Sequence, residues 1–248
     1  MPASPAESAQ LPQKWFSRAV SAVGHVRKIN EDSFLDASEC GLWVVADGMG
    51  GHSRGDRASQ EIIAQLQSFE PSANAADDVD QIVNQLEVAN TFCREQVDGQ
   101  VMGSTVALLY IHEQNGHIIW AGDSRLYRLR DGELKQLTDD HSLVGELQRL
   151  GELTEDEAEN HPSANVITRA VGVNDTLDLQ IRQTELQPGD RFLLCSDGLF
   201  KDVQRGEVRE NMSVPSMEQA LEKMVRLSLR RGGTDNVTAI VVQLSTEF

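Results

Sequence analysis

The chain has 248 residues, and its Lys+Arg 22 against Asp+Glu 39 give a formal net charge of −17. This acidic balance argues against a nucleic-acid backbone or an anionic membrane surface as partner, because phosphate binding draws on clustered Lys and Arg. A hydrophobic content of 40% and a charged content of 25% are typical of a soluble globular protein with enough apolar material for a core.

The N-terminal segment has neither the basic nor the apolar region of a signal peptide. Its Ala, Ser, Pro and Gln content predicts a flexible leader over residues 1–16, followed by one domain over 17–248. No apolar stretch approaches the length that a membrane span needs. Cys40, Cys93 and Cys195 form no CxxC pair, which favours free thiols and a cytoplasmic location.

Apolar patterning predicts the secondary structure in chain order. Helices are predicted from apolar residues at helical spacing over 57–69, 78–97 and 216–231, with a polar, helix-prone stretch over 139–163. Strands are predicted over 19–24, 41–47, 104–113, 116–124, 125–137, 177–186, 190–197 and 236–244. The dipeptides Asn115-Gly116 and Asp131-Gly132 are placed as hairpin turns between strands. Strands in runs and helices in pairs predict an α+β fold with antiparallel sheets.

Acidic residues occur at five places in the sequence that are predicted strand ends or lie beside glycines. Asp47-Gly48 and Asp197-Gly198 each follow an apolar strand, where the sheet can hold a carboxylate rigidly and leave it open to ligands. The other three places are Asp123, Asp235 and the acidic pair in "NEDSF" (30–34).

Carboxylates that are brought together repel one another unless a cation neutralises them. Oxygen ligands without a His or Cys cluster favour Mg²⁺ or Mn²⁺ over zinc. Two such ions about 3.5–4 Å apart can activate water for in-line attack on phosphorus. The pattern therefore predicts a metal-dependent reaction at a phosphate.

Eight segments occur in the order and spacing of the PPM/PP2C family of metal-dependent protein phosphatases. They are "RKINEDSF", "VVADGMGGH", "GSTVALLY", "WAGDSRLYRL", "LTDDHS", "ITRAVG", "LLCSDGL" and "GGTDNVTAIVV". The chain resembles the compact bacterial form of the family over residues 17–245. The resemblance implies a four-layer αββα sandwich of two antiparallel sheets flanked by helices, with a binuclear Mg/Mn centre between the sheets. It also implies hydrolysis of phosphoserine and phosphothreonine in proteins.

The resemblance implies roles for individual carboxylates. Asp47 matches the carboxylate that bridges two metal ions, and Gly48 matches the residue that adds a backbone carbonyl. Asp197 and Asp235 match the other carboxylates of the first ion. Asp32 resembles the acid that acts on the metal centre largely through water, and the adjacent Glu31 is the alternative candidate for that role.

Four further features follow from the same resemblance. Asp123 matches a ligand of a third, looser ion. Arg27 occupies the place of the phosphate-binding arginine, whose planar fork can hold two phosphoryl oxygens. His52 falls where bacterial relatives carry a histidine near the leaving group, and a water molecule is the alternative general acid, since the animal-type position is Met49. Residues 139–170 match a mobile flap beside the cleft.

The implied partners are phosphorylated proteins, a cognate Hanks-type serine/threonine kinase and the substrates of that kinase, and a monomer is expected. Some bacterial phosphatases of this length belong to type VI secretion loci. Two alternatives stay open, namely a catalytically weak phosphoprotein-binding module and a metal-dependent hydrolase of small phosphoesters. A cysteine-nucleophile phosphatase is not predicted, because Lys201 stands where Cys195 would need an arginine.

Overall fold

Strands and helices follow one another in groups along the chain. The computed structural model describes residues 15–50, 54–95, 101–154, 157, 161–163 and 166–244. The described strands are β1 (Trp15–Ala22), β2 (Asp32–Ala37), β3 (Leu42–Met49), β4 (Gly103–Ser104), β5 (Val106–His112), β6 (Asn115–Ala121), β7 (Arg125–Arg130), β8 (Glu133–Gln136), β9 (Gln180–Glu185), β10 (Arg191–Cys195) and β11 (Val237–Leu244). The described helices are α1 (Gly55–Leu66), α2 (Ala75–Glu95), α3 (Leu143–Arg149), α4 (Asp197–Phe200), α5 (Arg205–Met212) and α6 (Met217–Arg230).

These strands form two antiparallel sheets. The first sheet has the order β1-β11-β10-β7-β8 and the second has the order β2-β3-β5-β6-β9, with β4 paired to β3. The chain crosses from the second sheet to the first between β6 and β7. Within the described residues, none of the helices has the length and apolar character that crossing a bilayer requires.

In the described part of the chain, the three larger apolar cores separate four layers of backbone. On β3, Trp43 and Val45 belong to the core between the sheets, whereas Val44 belongs to the core under α1 and α2. On β10, Leu194 belongs to the core between the sheets and Leu193 to the core under α5 and α6. Successive strand residues point to opposite faces, so a sheet with apolar residues on both faces needs cover on both. The predicted α+β, four-layer αββα sandwich is thereby confirmed.

One of the two predicted hairpin turns is displaced. Asp131 and Gly132 connect β7 to β8 with positive φ values of 51° and 77°, as predicted. The β5–β6 hairpin turns two residues earlier than predicted, because its register pairs His112 with Asn115 and places Gly116 inside β6. A Cβ on Gly116 would lie 3.2–3.4 Å from side chains of neighbouring strands, so this glycine fills a tight sheet position instead of a turn.

The start of the folded domain lies earlier than the predicted boundary at residue 17. β1 begins at Trp15, and the Trp15 ring lies 6.2 Å from that of Trp43 and 6.3 Å from that of Phe192. These aromatic contacts place Trp15 against the core between the sheets. The rest of the predicted leader, residues 1–14, falls outside the described part of the chain.

The predicted flap segment, residues 139–170, contains α3. The helix is capped by Ser142, whose Oγ accepts a hydrogen bond from the Gly145 N–H at 3.1 Å. Leu150, directly after α3, is 73% exposed. Residues 155–156, 158–160 and 164–165 of the segment are outside the described residues. Its mobility stays a prediction.

Candidate metal centre

Five aspartates lie at one edge of the two sheets, and we call them the carboxylate cluster. Asp32 begins β2 and Asp47 lies near the end of β3 in the second sheet. Asp197 follows β10 and Asp235 precedes β11, the central strands of the first sheet. Asp123 lies on the crossing from β6 to β7. Because the antiparallel pairs join strand ends to strand starts here, the fold brings together residues that are distant in the sequence.

Asp32 is held between the two sheets. Its Oδ2 accepts a 2.8 Å hydrogen bond from Ser196 Oγ, at the junction of β10 and α4, whereas its Oδ1 is buried without a partner among the described residues. Burial raises the pKa of Asp32 to about 7, and the charges of Asp197 and Asp235 add to the rise. Hydrogen bonds from Ser196 and Thr238 oppose it.

Asp47 is fixed through its backbone. Its N–H donates to Thr105 Oγ1 at 3.1 Å, and its carbonyl accepts from the Thr105 N–H at 2.9 Å and from Ser104 Oγ at 3.0 Å. Burial raises the pKa of Asp47 well above its ordinary value. The charges of the four other members of the carboxylate cluster raise it further, which places Asp47 electrostatically at the cluster's centre.

Gly48 is required where β3 packs against the start of α1. Its N–H donates to the Glu31 carbonyl at 3.0 Å. A Cβ at Gly48 would overlap the carbonyl of Gly55 and lie 2.6 Å from that of Glu31. The absence of a side chain at Gly48 therefore lets the backbone of β3 pack closely against the backbone of Gly55 and Glu31. Metal ligation by the Gly48 carbonyl stays a prediction.

Two cations are paired with members of the carboxylate cluster. Arg27 Nη2 donates to Asp235 Oδ2 at 2.8 Å, and its Nη1 lies 3.7 Å from Glu31 Oε2. Lys201 Nζ donates to Asp197 Oδ2, one helical turn away. The Arg27 side chain is 46% exposed, so it stands at the open side of the site.

Asp123 is a buried member of the carboxylate cluster. It is 5% exposed, and its Oδ1 is buried with no hydrogen-bond partner in the described ranges. Burial raises the pKa of Asp123 to about 7, Asp197 and Asp140 raise it further, and Lys201 opposes the rise. Asp140 itself is bound by Arg125, with Nη2 at 2.7 Å from Oδ2.

The donor chemistry of this site fits a hard divalent cation. Asp32, Asp123 and Asp197 each carry a buried Oδ1 that lacks a hydrogen-bond partner in the described structure. Such oxygens are costly to bury unless a cation or a donor meets them. In the described part of the chain, no three Asp, Glu, His or Cys groups are already arranged to hold an ion. Asp197 and Asp235 are instead paired with Lys201 and Arg27.

Asn236 is a positioning residue that sequence reasoning missed. It is 3% exposed, and its Oδ1 accepts from the Glu31 N–H at 2.8 Å. Its Nδ2 donates to the carbonyls of Val23, at 2.8 Å, and Ile29, at 3.0 Å. One amide thus ties both ends of the loop that carries Arg27 to the start of β11. Its position beside Asp235 in "GGTDN" was the available signal.

The structure brings together all the predicted site residues that it describes. These are Arg27, Asp32, Asp47, Gly48, Asp123, Asp197 and Asp235. The remaining one, His52, lies outside the described residues, so its role as general acid stays a prediction.

Known proteins resemble this chain in sequence along most of its length. The sequence model of the family described as protein phosphatase 2C matches residues 24–241. Serine/threonine protein phosphatase PstP from Mycobacterium tuberculosis is 36% identical over 226 residues, which are 89% of this chain and 43% of that protein. The chain therefore spans less than half the length of this relative.

Solved structures match both sheets and helices. PppA, a key regulatory component of T6SS in Pseudomonas aeruginosa, has a TM-score of 0.86 and 43% identity, covering 93% of this chain and 98% of PppA. The catalytic domain of PstP in complex with two manganese ions has a TM-score of 0.82 and 33% identity, with coverages of 93% and 98%. This chain is therefore a member of the PPM/PP2C family of metal-dependent serine/threonine protein phosphatases, in its bacterial form.

Proposed function

We propose that this protein hydrolyses phosphoserine and phosphothreonine in other proteins, with divalent cations held by the carboxylate cluster. One observation carries the proposal: three buried carboxylate oxygens, on Asp32, Asp123 and Asp197, lack a hydrogen-bond partner among the described residues. Family membership supplies the reaction class, and the two manganese ions bound to the PstP catalytic domain support the kind of cation.

The proposed ligands divide into direct and indirect ones. Asp47 would hold both Mg²⁺ or Mn²⁺ ions, the Gly48 carbonyl would add a ligand, and Asp197 and Asp235 would complete the protein ligands of the first ion. Asp32 acts through water, which its hydrogen bond from Ser196 supports by holding the carboxylate in place. Bound Mg²⁺ or Mn²⁺ would supply an activated water and charge neutralisation at the phosphate.

Arg27 is the proposed phosphate-binding residue. It is half-exposed and bonded through Nη2 to Asp235, while Nη1 is beyond hydrogen-bond distance of Glu31. When Asp235 binds a cation, the guanidinium fork becomes available to two phosphoryl oxygens. Asn236 holds the loop that carries Arg27, so the phosphate is positioned relative to Asp235. The leaving oxygen takes its proton from His52 or from water.

The two alternative functions are less well supported. A catalytically weak binding module would be expected to have lost metal carboxylates, but all five are present and the charges of the other four raise the pKa of Asp47. A hydrolase of small phosphoesters would be expected to enclose its substrate, whereas the Arg27 side chain is 46% exposed. An accessible arginine favours a phosphate that projects from a protein.

We further propose a pathway context and a location for the protein. The similarity to PppA, a regulatory component of T6SS, supports a role in type VI secretion control. In that role the protein would act as a monomer on phosphorylated proteins and oppose a serine/threonine kinase. The cysteines Cys40, Cys93 and Cys195 are free, as expected for the cytoplasm.

Substrate competition tests the proposed function. Purified full-length protein with Mn²⁺ is given a phosphothreonine peptide, para-nitrophenyl phosphate and ATP in separate assays of phosphate release. We expect kcat/KM to be highest for the peptide. A higher kcat/KM for ATP would support the small-phosphoester alternative instead. Tight peptide binding without turnover, measured by calorimetry, would support the binding module.

A further inference from the structure

His141 is buried next to the turn that carries Asp123. It is 1% exposed, and its ring stacks on that of Trp120, with 5.8 Å between the ring centroids and 11° between the ring planes. The metal ligands proposed above leave this residue, and the segment "LTDDHS" that contains it, without a role.

Two hydrogen bonds join His141 to Gly122, the residue before Asp123. The His141 N–H donates to the Gly122 carbonyl at 2.9 Å, and the Gly122 N–H donates to His141 Nδ1 at 3.2 Å. Because Nδ1 accepts, the neutral ring carries its proton on Nε2, which donates to Gln180 Oε1 at 2.9 Å. Gly122 and Gln180 thus hold the His141 ring in one tautomer and one orientation.

The turn at Gly122 is held from its other side by Thr105. Gly122 has a φ of 111°, and a Cβ there would lie 2.6 Å from two atoms of the Thr105 side chain. Thr105 Oγ1 lies 2.7 Å from Ser124 Oγ and accepts from the Asp47 N–H at 3.1 Å. His141 and Thr105 therefore fix this turn together, and Thr105 ties it to the strand of Asp47.

The direction of the Asp123 carboxylate depends on the same turn. Its Oδ1 is buried and has no hydrogen-bond partner in the described ranges, so the backbone, and not a side-chain contact, places this oxygen. Groups that orient a metal ligand from behind contribute strongly to metal affinity, and their loss typically costs about 10- to 100-fold.

We propose that His141 is a positioning residue for Asp123, whose ring holds the turn at Gly122 so that the Asp123 carboxylate is presented to a divalent cation. His141 acts through Gly122 and contacts neither the cation nor the substrate. The inference rests on the metal binding proposed above and adds to it the residue that orients one of the carboxylates.

Mn²⁺ binding tests this inference without reference to activity. Metal-stripped full-length protein is titrated with Mn²⁺ by calorimetry, and Asp123→Asn identifies the binding phase that depends on Asp123. His141→Phe keeps a ring against Trp120 but loses the hydrogen bonds of both ring nitrogens, and it should weaken that phase about 10- to 100-fold. His141→Asn should weaken it much less, because the asparagine Oδ1 can accept from the Gly122 N–H in place of Nδ1.

Tyr110→Phe is the matched control for a general loss of stability. Tyr110 is 1% exposed and lies near the end of β5, whereas Thr105 precedes the start of that strand. Its hydroxyl donates to Asp78 Oδ2 at 2.5 Å. This variant should lower the Tm and leave every phase of Mn²⁺ binding unchanged. A purely structural role for His141 predicts the same result for His141→Phe.

The outcomes separate this inference from the proposed function. The role of His141 would be overturned by unchanged Mn²⁺ binding in His141→Phe, by equal weakening in Tyr110→Phe, or by a wild type that binds Mn²⁺ in no phase that Asp123→Asn alters. No Mn²⁺ binding in the wild type, together with no phosphopeptide hydrolysis, would instead overturn the proposed function.

A second variant decides if His141→Phe does not fold. Gln180→Leu removes the partner of Nε2 and leaves the Gly122 turn itself untouched. The inference expects the Asp123-dependent phase to weaken in this variant, because the His141 ring is no longer held, and an unchanged phase would contradict it.

Discussion

Asp32 and Asp47 stand directly opposite each other in the β2–β3 register, with their side chains on the same face of the sheet. Directly opposed like charges on a sheet are destabilising, and burial raises the pKa of both carboxyl groups. Each carboxyl also feels the charges of Asp197 and Asp235 from the other sheet. The edge where the two sheets meet is therefore under electrostatic strain that a divalent cation would relieve.

Asp47→Asn should change stability in opposite directions with and without metal. Without metal, the variant should have a higher Tm than the wild type, because one of five mutually repelling carboxylates is gone. With Mn²⁺, the wild type should gain stability by ligand binding and the variant should gain much less. Differential scanning fluorimetry in EDTA and in Mn²⁺ measures both. An equal Mn²⁺-induced shift in the two proteins would contradict a bridging role for Asp47.

Arg27→Ala should weaken substrate binding and leave metal binding intact. Loss of charge-assisted hydrogen bonds to a phosphate costs about 1.5–3 kcal/mol, so kcat/KM for a phosphothreonine peptide should fall roughly 10- to 100-fold. Lys28→Ala, at the exposed neighbouring cation, should change kcat/KM far less. Steady-state kinetics and calorimetry with Mn²⁺ check the two parts. A lost metal ion in Arg27→Ala would show that the residue supports the site instead of the substrate.

The stabilising effect of metal should grow with pH. Burial raises the folded-state pKa values of Asp32 and Asp123 to about 7 from an ordinary value of 3.8. The folded, metal-free protein therefore binds more protons than the unfolded chain between these values, and its stability falls as pH rises through 7. Divalent cations that bind the carboxylate cluster would displace the protons from Asp32 and Asp123. The difference in Tm between Mn²⁺ and EDTA should widen from pH 5 to pH 8, and a constant difference would count against protonated carboxyl groups in the metal-free site.

Ser196→Ala should destabilise the protein at the contact between the two sheets. Ser196 is fully buried, donates to Asp32 Oδ2 at 2.8 Å and accepts from the Thr238 N–H at 3.0 Å. Its removal leaves a buried donor and a buried acceptor unsatisfied, which costs about 1–3 kcal/mol in the free energy of unfolding. Urea unfolding measures this cost. Ser213→Ala, at an exposed serine whose hydroxyl donates to the Arg209 carbonyl, is the control, and equal changes in the two variants would refute a special role for Ser196.

Local patterns predicted the elements of this fold better than the contacts between them. Asp47 and Asp197 could be recognised because each follows an apolar strand and precedes a glycine. The bond between Arg27 and Asp235 joins residues 208 positions apart, and the bond between Ser196 and Asp32 spans 164 positions. Such pairs depend on how two sheets pack, which periodicity within one segment does not encode.

The displaced hairpin has a similar cause. Asn115-Gly116 has the composition of a tight turn, but the register of β5 and β6 continues past it to the pair of His112 and Asn115. Cross-strand packing therefore outweighed local turn preference.

Lys201 was missed as part of the site because its helical spacing from Asp197 suggests an ordinary surface ion pair. Only the burial of Asp197 and Asp123 shows that this pair belongs to the carboxylate cluster.

The most direct measurement of the central claim is the metal dependence of phosphopeptide hydrolysis. Metal-stripped wild-type protein is assayed for phosphate release from a phosphothreonine peptide while Mn²⁺ or Mg²⁺ is increased, with Asp47→Asn assayed alongside. We expect no turnover in EDTA, saturable turnover with either ion, and a loss of about 100-fold or more in the variant. Losing a contact that supports a metal ligand costs about 10- to 100-fold, so losing a ligand itself should cost at least as much. Full activity of the wild type in excess EDTA, or full activity of Asp47→Asn, would contradict it.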